Sequence, residues 1–214
     1  TTASARSAGT TGGPGGSSFA GPLEGACAGG GCDNAGWSHV PTSGFTDWVW
    51  STAQSQSPTH SWYSQSVNSA NKQLVSPSLG VVAGNVLAFW HTYSTESCCD
   101  HLYLEVSTDG GTTWSSLPAS AFTAGAYTCG NNWCGGIIGA LTPVRADLGA
   151  YASQTIKLRW READDPSITY TGWYVDSVSI TTPQACTPCA VAPAMSNVMG
   201  AKSGTNLVQN WTTV

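Results

Sequence analysis

Leu102-Tyr103-Leu104-Glu105-Val106-Ser107-Thr108-Asp109-Gly110-Gly111-Thr112-Thr113-Trp114 is the stretch that decides the fold class. Leu102, Leu104 and Val106 alternate with Tyr103, Glu105 and Ser107, the period-two pattern of a half-buried strand. Asp109-Gly110-Gly111 then supplies the residues of a tight turn, and Trp114 opens the return strand. The same grammar recurs outward in both directions. Val86-Leu87-Ala88-Phe89-Trp90 is apolar on both faces and reads as a central strand. Ile156, Leu158 and Trp160 alternate with Lys157, Arg159 and Arg161, and Val175, Val178 and Ile180 belong to a last strand. No window carries an apolar stripe of helical period. Short strands separated by Gly, Pro and Asp turns predict an all-β chain, an antiparallel jelly-roll β-sandwich.

Composition agrees. Charged residues make up 9% of the 214, against about 25% in an average soluble domain. Polarity therefore comes from Ser, Thr, Asn, Gln and Gly, which favour turns over long helices. The formal net charge is −5, and the seven Lys and Arg are scattered along the chain. With no basic cluster, nucleic acid is not an expected partner. No run of about 18 apolar residues is present to span a membrane.

The eight cysteines fall in four close pairs, Cys27/Cys32, Cys98/Cys99, Cys129/Cys134 and Cys186/Cys189. An even count in a chain of this composition points to disulfides and an oxidising, extracellular location. Local pairing is the simplest arrangement. Cys98 and Cys99 could instead each reach a distant partner, because spacing does not fix connectivity. A zinc site is disfavoured, since Cys186-Thr-Pro-Cys189 is the lone C-x-x-C.

Four segments follow from these patterns. Residues 1–22, rich in Gly, Ser, Thr and Ala, read as an extended tail. Such a segment cannot offset its ordering entropy by burial unless its own domain or a neighbouring chain holds it. Residues 23–182 read as one jelly-roll domain and residues 183–193 as a Pro- and Cys-containing linker. Residues 194–214, through Leu207-Val208-Gln209-Asn210-Trp211, resemble the opening strands of a fibronectin type III-like domain. They could equally serve as a C-terminal strand that pairs elsewhere.

The order of Leu23-Glu24-Gly25, Gly36-Trp37, Asp47-Trp48-Val49-Trp50, Leu87-Ala88-Phe89-Trp90-His91, Asp109-Gly110-Gly111-Thr112-Thr113-Trp114 and Gly172-Trp173-Tyr174-Val175-Asp176 resembles the MAM-like jelly-roll domains of bacterial secreted proteins. These include domains appended to peptidases of the immune-inhibitor-A type. The resemblance implies an accessory module, not a catalytic part. It further implies a calcium ion at Asp176, with Glu24 as companion and Asp47 as a weaker third ligand. Period two independently groups Asp176 with Tyr174, Val178 and Ile180, so it should point inward or lie near the sheet end, and a buried carboxylate needs a cation, several donors or a proton. Calcium would require about six to eight oxygens, so carbonyls and water would complete the set.

Trp48, Trp50, Trp62, Tyr63 and Trp133 are candidates for a sugar-stacking platform, with Trp133 the best exposed because of its Gly- and Asn-rich loop. Core packing is the competing fate of each ring. No serine-nucleophile elbow, zinc-protease helix or phosphate loop is present. Glu105 and Asp109 form the one obvious carboxylate pair for glycoside hydrolysis, and Asp109 is already accounted for by its turn. The expectation is a non-catalytic extracellular adhesion or accessory module that works beside other domains of its protein. Two alternatives stand beside it: a filament subunit whose terminal strands pair with neighbours, and a module that binds polysaccharide.

Overall fold

A computed structural model describes residues 36–39, 41–44, 46–57 and 60–182. Glu24, Cys27, Cys32, Cys186, Cys189 and the segments 1–22, 183–193 and 194–214 lie outside the described residues. Twelve antiparallel strands were found among the described residues. They are β1 (Ser38–His39), β2 (Val49–Ser51), β3 (Ser61–Gln65), β4 (Asn71–Val75), β5 (Leu79–Gly80) and β6 (Val86–Ser94), then β7 (His101–Ser107), β8 (Ser115–Ser116), β9 (Phe122–Ala124), β10 (Thr142–Asp147), β11 (Thr155–Ala163) and β12 (Gly172–Thr181).

The strands form two sheets of a sandwich. One runs β1-β4-β11-β7-β8, with β5 also on β11, and the other runs β2-β3-β12-β6-β10-β9. Alternation fixes what each sheet buries. In the first, Leu74, Trp160 and Leu104 stand in register across β4, β11 and β7. In the second, Trp62, Val175 and His91 do the same across β3, β12 and β6. All of them are buried. Phe89 meets Trp160 edge-on across the two layers at 5.5 Å. Truncating a core aromatic of this kind costs about 3–5 kcal/mol. The edge strands β1, β2, β8 and β9 are two or three residues long, which leaves little unpaired backbone for another chain to join.

Two polar groups are buried with their needs met. His91 is deeply buried, and its Nδ1 accepts the Trp173 indole N–H at 3.3 Å. Burial pushes its pKa down to about 3, so the ring is a neutral acceptor. Lys72 faces Glu162 across β4 and β11. Its ammonium lies 3.1 Å from Glu162 and 3.3 Å from Asp164, and it also donates to the Gln65 carbonyl. All three side chains are almost wholly buried. Burial, together with the neighbouring carboxylate of Asp164, pushes the Glu162 carboxyl up in spite of the ammonium.

One extra residue changes the faces of β12. The register steps from Asp176↔Trp90 to Ser179↔Ala88, three positions against two, and Ser177 takes φ +52°. This is a β-bulge. It places Asp176 on the outer face with Tyr174, opposite Val178 and Ile180, which remain in the core. The expectation that Asp176 shares their inward face is thereby corrected, because a one-residue insertion inverts the period-two pattern beyond it.

Removing one member of the buried triad leaves uncompensated charge. Lys72→Met is expected to cost about 3–5 kcal/mol in urea denaturation at neutral pH. The carboxyls, already raised, are expected to take up protons in the folded variant, so the deficit shrinks on going from about pH 8 to about pH 5. An equal deficit at both pH values would contradict this account.

Candidate ligand-binding groove

A groove of about 410 Å³ crosses the outer face of the first sheet. Gln73 and Val75 of β4 and Lys157 and Arg159 of β11 line it, with Thr42 also on its wall. The β7–β8 turn contributes Gly110, Gly111 and Thr112, and Trp114 follows them. These side chains are the outward half of the alternation that buries Leu74, Leu158 and Trp160.

The turn is held by one carboxylate. Asp109 accepts the Ser107 hydroxyl at 2.7 Å, the Thr112 N–H at 3.0 Å, the Thr113 N–H at 2.9 Å and the Thr113 hydroxyl at 2.7 Å. These donors, Thr113 foremost, hold its carboxyl well below the usual range. Gly111 has φ +102°, and a Cβ there would stand 3.4 Å from the Trp114 ring, so the position suits glycine. The Trp114 indole N–H donates to the Gly111 carbonyl at 3.0 Å, which fixes the ring against the turn.

Two arginines share one acid beneath this turn. Arg159 Nε donates to Glu105 Oε2 at 2.7 Å, and its Nη1 donates to Gln73 Oε1 at 3.0 Å. Arg161 grips Glu105 through two bonds of 3.0 Å, one to each oxygen. The Arg159 guanidinium lies 4.3 Å from the Trp114 ring centre and that of Arg161 lies 4.1 Å from Tyr103, both within cation–π range. Burial alone would push the Glu105 carboxyl up, but the bonds from Arg161 and Arg159 outweigh it and hold it below its ordinary value. Glu105 is thus a fixed anion and Asp109 a turn anchor, so neither is placed to exchange a proton with substrate as hydrolysis of a glycoside demands.

The expected sugar platform lies elsewhere in the molecule and is not one surface. Trp48, Trp62 and Trp133 are each 1% exposed. Trp133, expected to be the best exposed, plugs the end of the core. Its backbone bridges Leu102, its indole N–H reaches the Gly125 and Ala126 carbonyls, and its ring contacts Phe89, His91, Tyr127 and Trp173. The gain from burying so large a ring with its N–H satisfied outweighs the polarity of its loop. Trp50 is half-buried and stacks on Trp62 at 4.6 Å, and Tyr63 stacks on Tyr174 at 4.4 Å. Trp114 and Tyr103 were the aromatic residues missed. Their signal was present, since alternation places Tyr103 beside Glu105 on the outer face and Trp114 directly follows the turn.

The structure joins Cys98 to Cys99 and Cys129 to Cys134. Of the expected calcium ligands, Asp176 is buried and accepts the N–H groups of Gln56 at 2.6 Å, Ser57 at 2.8 Å and Ser177 at 2.5 Å, and the Ser57 hydroxyl at 3.0 Å. Asp47 accepts from His39 Nδ1 and the Trp48 N–H. The groups bonded to Asp176 among the described residues are the N–H groups of Gln56, Ser57 and Ser177 and the hydroxyls of Ser57 and Ser177. Among the described residues, the groups with metal-ligand spacing are Glu96/Cys98/Cys99 and Glu96/Asp100/Asp165. The two cysteines of the first are oxidised. In the second, Asp100 already accepts the Glu96 and Asp165 N–H groups, tying the β6–β7 loop to the segment after β11.

The family described as Immune inhibitor A-like, MAM domain, matches residues 50–187, more than half of the chain. The chain belongs to the immune inhibitor A-like MAM domain family. The match covers all of β3 to β12 and starts later than the expected residue 23. No curated protein matches the chain significantly. Among solved structures, the chain is similar to the glycoside hydrolase domain of Endo-D from Streptococcus pneumoniae R6, at 12% identity over 70% of this chain and 22% of that one, TM-score 0.46. It is also similar to the carbohydrate-binding module TmCBM61, solved with beta-1,4-galactotriose, at 13% identity over 69% and 89%, TM-score 0.43. A third likeness is to the K1 cleaved adhesin domain of Lys-gingipain from Porphyromonas gingivalis W83, at 16% identity over 70% and 92%, TM-score 0.40. The chain spans about a fifth of the Endo-D domain.

Because Asp176 satisfies three backbone N–H groups at once, Asp176→Ala is expected to destabilise the MAM domain by about 3 kcal/mol or more. Chemical denaturation measures it, and a loss under about 1 kcal/mol would be at odds with this bonding.

Proposed function

We propose that this MAM domain is a non-catalytic extracellular accessory module that binds polysaccharide in the groove over β4, β11 and the β7–β8 turn. The observation that carries the reading is the fixed state of the groove. Arg159 is bonded to Glu105 and Gln73 and packed on Trp114, and Trp114 is bonded to its own turn. A ligand therefore meets a ring edge, a guanidinium and an amide already in place, and little ordering cost remains. Polar groups fixed in a shallow open groove suit a chain of hydroxyls better than a compact apolar ligand. The Cys98–Cys99 and Cys129–Cys134 bridges accord with an oxidising, extracellular setting. Other domains of the same protein would supply catalysis or attachment, with this domain holding them at a glycan surface.

The test is titration calorimetry against a panel of soluble oligosaccharides. Saturable binding to at least one is expected, and Trp114→Ala is expected to weaken it by about 2 kcal/mol, roughly thirtyfold, with the far-ultraviolet circular dichroism retained. Binding that survives Trp114→Ala undiminished would move the site off this face.

A further inference from the structure

The charge of the groove narrows the ligand. Seven Lys and Arg stand against twelve Asp and Glu in the whole chain, yet the groove lining contains two cations, Lys157 and Arg159, and no acid. Arg161 stands beside them on β11, so three of the seven cations share the outward face of one strand. The carboxylates nearby are occupied. Glu105 is gripped by both arginines, and Asp109 is turned into the N–H and hydroxyl groups of Thr112 and Thr113. Arg159, Arg161 and Lys157 stand against the carboxylates of Glu105 and Asp109, three charges against two, so the groove keeps a net positive charge.

Some of this positive charge also lacks a partner. Among the described residues Arg159 uses Nε and Nη1, and its Nη2 has no acceptor. Lys157 has no ion pair there, and its stem runs past Gly111, with Cδ 3.8 Å from the place a Cβ would take. The free ammonium and guanidinium N–H groups both belong to residues lining one groove, next to an aromatic ring. A neutral sugar would use the ring and the amide but leave the Lys157 ammonium without an anion and the Arg159 Nη2 without an acceptor among the described residues.

From this we propose that the groove selects an acidic glycan, one that carries carboxylate or sulfate groups along its chain, with Lys157 and Arg159 as the residues that choose it. The inference rests on the glycan-binding reading above and adds the ligand class. Arg159 is the geometric anchor, since its remaining N–H groups are pre-aimed by Glu105 and Gln73 and can donate to an oxyanion in a charge-assisted bond. Lys157 acts as a mobile point charge at the same groove.

The test measures binding of three hexasaccharides to the wild-type chain by calorimetry: oligogalacturonate, a sulfated heparin fragment and neutral galactan. At least one acidic ligand is expected to bind about tenfold more tightly than galactan, and which one does so tells carboxylate from sulfate. Lys157→Gln is expected to weaken the acidic ligand about tenfold and to erase its preference. Raising NaCl from about 0.05 to about 0.5 M is expected to weaken it too, by screening. Equal affinity for neutral and acidic ligands, without salt dependence but still lost in Trp114→Ala, overturns the acidic selectivity and leaves the groove reading standing. Acidic binding that neither Lys157→Gln nor Arg159→Gln alters overturns the assignment of the two residues and places the acid groups elsewhere. Failure of all three hexasaccharides and of the wider panel overturns both readings together.

Discussion

A pleated strand sends successive side chains to opposite faces, and β11, hydrogen-bonded on both sides by β4 and β7, alternates without a break along its length. Its inward residues Ile156, Leu158 and Trp160 are core, and its outward residues Lys157, Arg159 and Arg161 are the cations of the groove. A slip of one residue would put guanidinium groups between the sheets and tryptophan in water. Each face therefore specifies the other. The register that seals the core is the register that presents the cations, and selection on stability alone would keep the groove face aligned.

The two ends of β11 handle charge in opposite ways. On the outer face Glu105 sits between two arginines at the rim of solvent, where an excess of positive charge remains hydrated. At the inner end Lys72 sits between two buried carboxylates, and burial pushes both carboxyls up toward their neutral forms. Burial of an ion triad is weak support for stability in itself. Its effect here is on register, because Lys72 meets Glu162 only when β4 and β11 pair as they do.

Much of this was legible beforehand. The alternation at 102–107 and 156–161, the Asp-Gly-Gly turn and the family order of motifs were enough to give the sandwich and its kind. Spacing left the partners of Cys98 and Cys99 open, and the structure chose local pairing there and at Cys129–Cys134. The site was less legible, for two physical reasons. The bulge shows in the sequence only as a three-residue step between the core residues Val175 and Val178, and Ser177 takes its left-handed conformation with no glycine to announce it, so the face of Asp176 was misread. Exposure of an aromatic depends on where its loop folds: the Gly- and Asn-rich loop around Trp133 suggested solvent, yet the ring found a place in the core. Trp114 and Tyr103 could have been read from alternation alone, had the outward half of each strand been weighed as closely as the inward half.

The loop closed by Cys129–Cys134 carries a different consequence. Trp133 is its anchor, buried and bridged to Leu102, while Gly130 and Asn131 at its tip are exposed and nothing lies within 4 Å of the place a Gly130 side chain would occupy. Covalent closure at the base and a buried ring beside it separate what the loop does for the core from what its tip displays. Such a tip can be rewritten or lengthened without touching the sandwich, which makes it the natural place to graft a foreign peptide, and the place where descendants of this domain are freest to diverge.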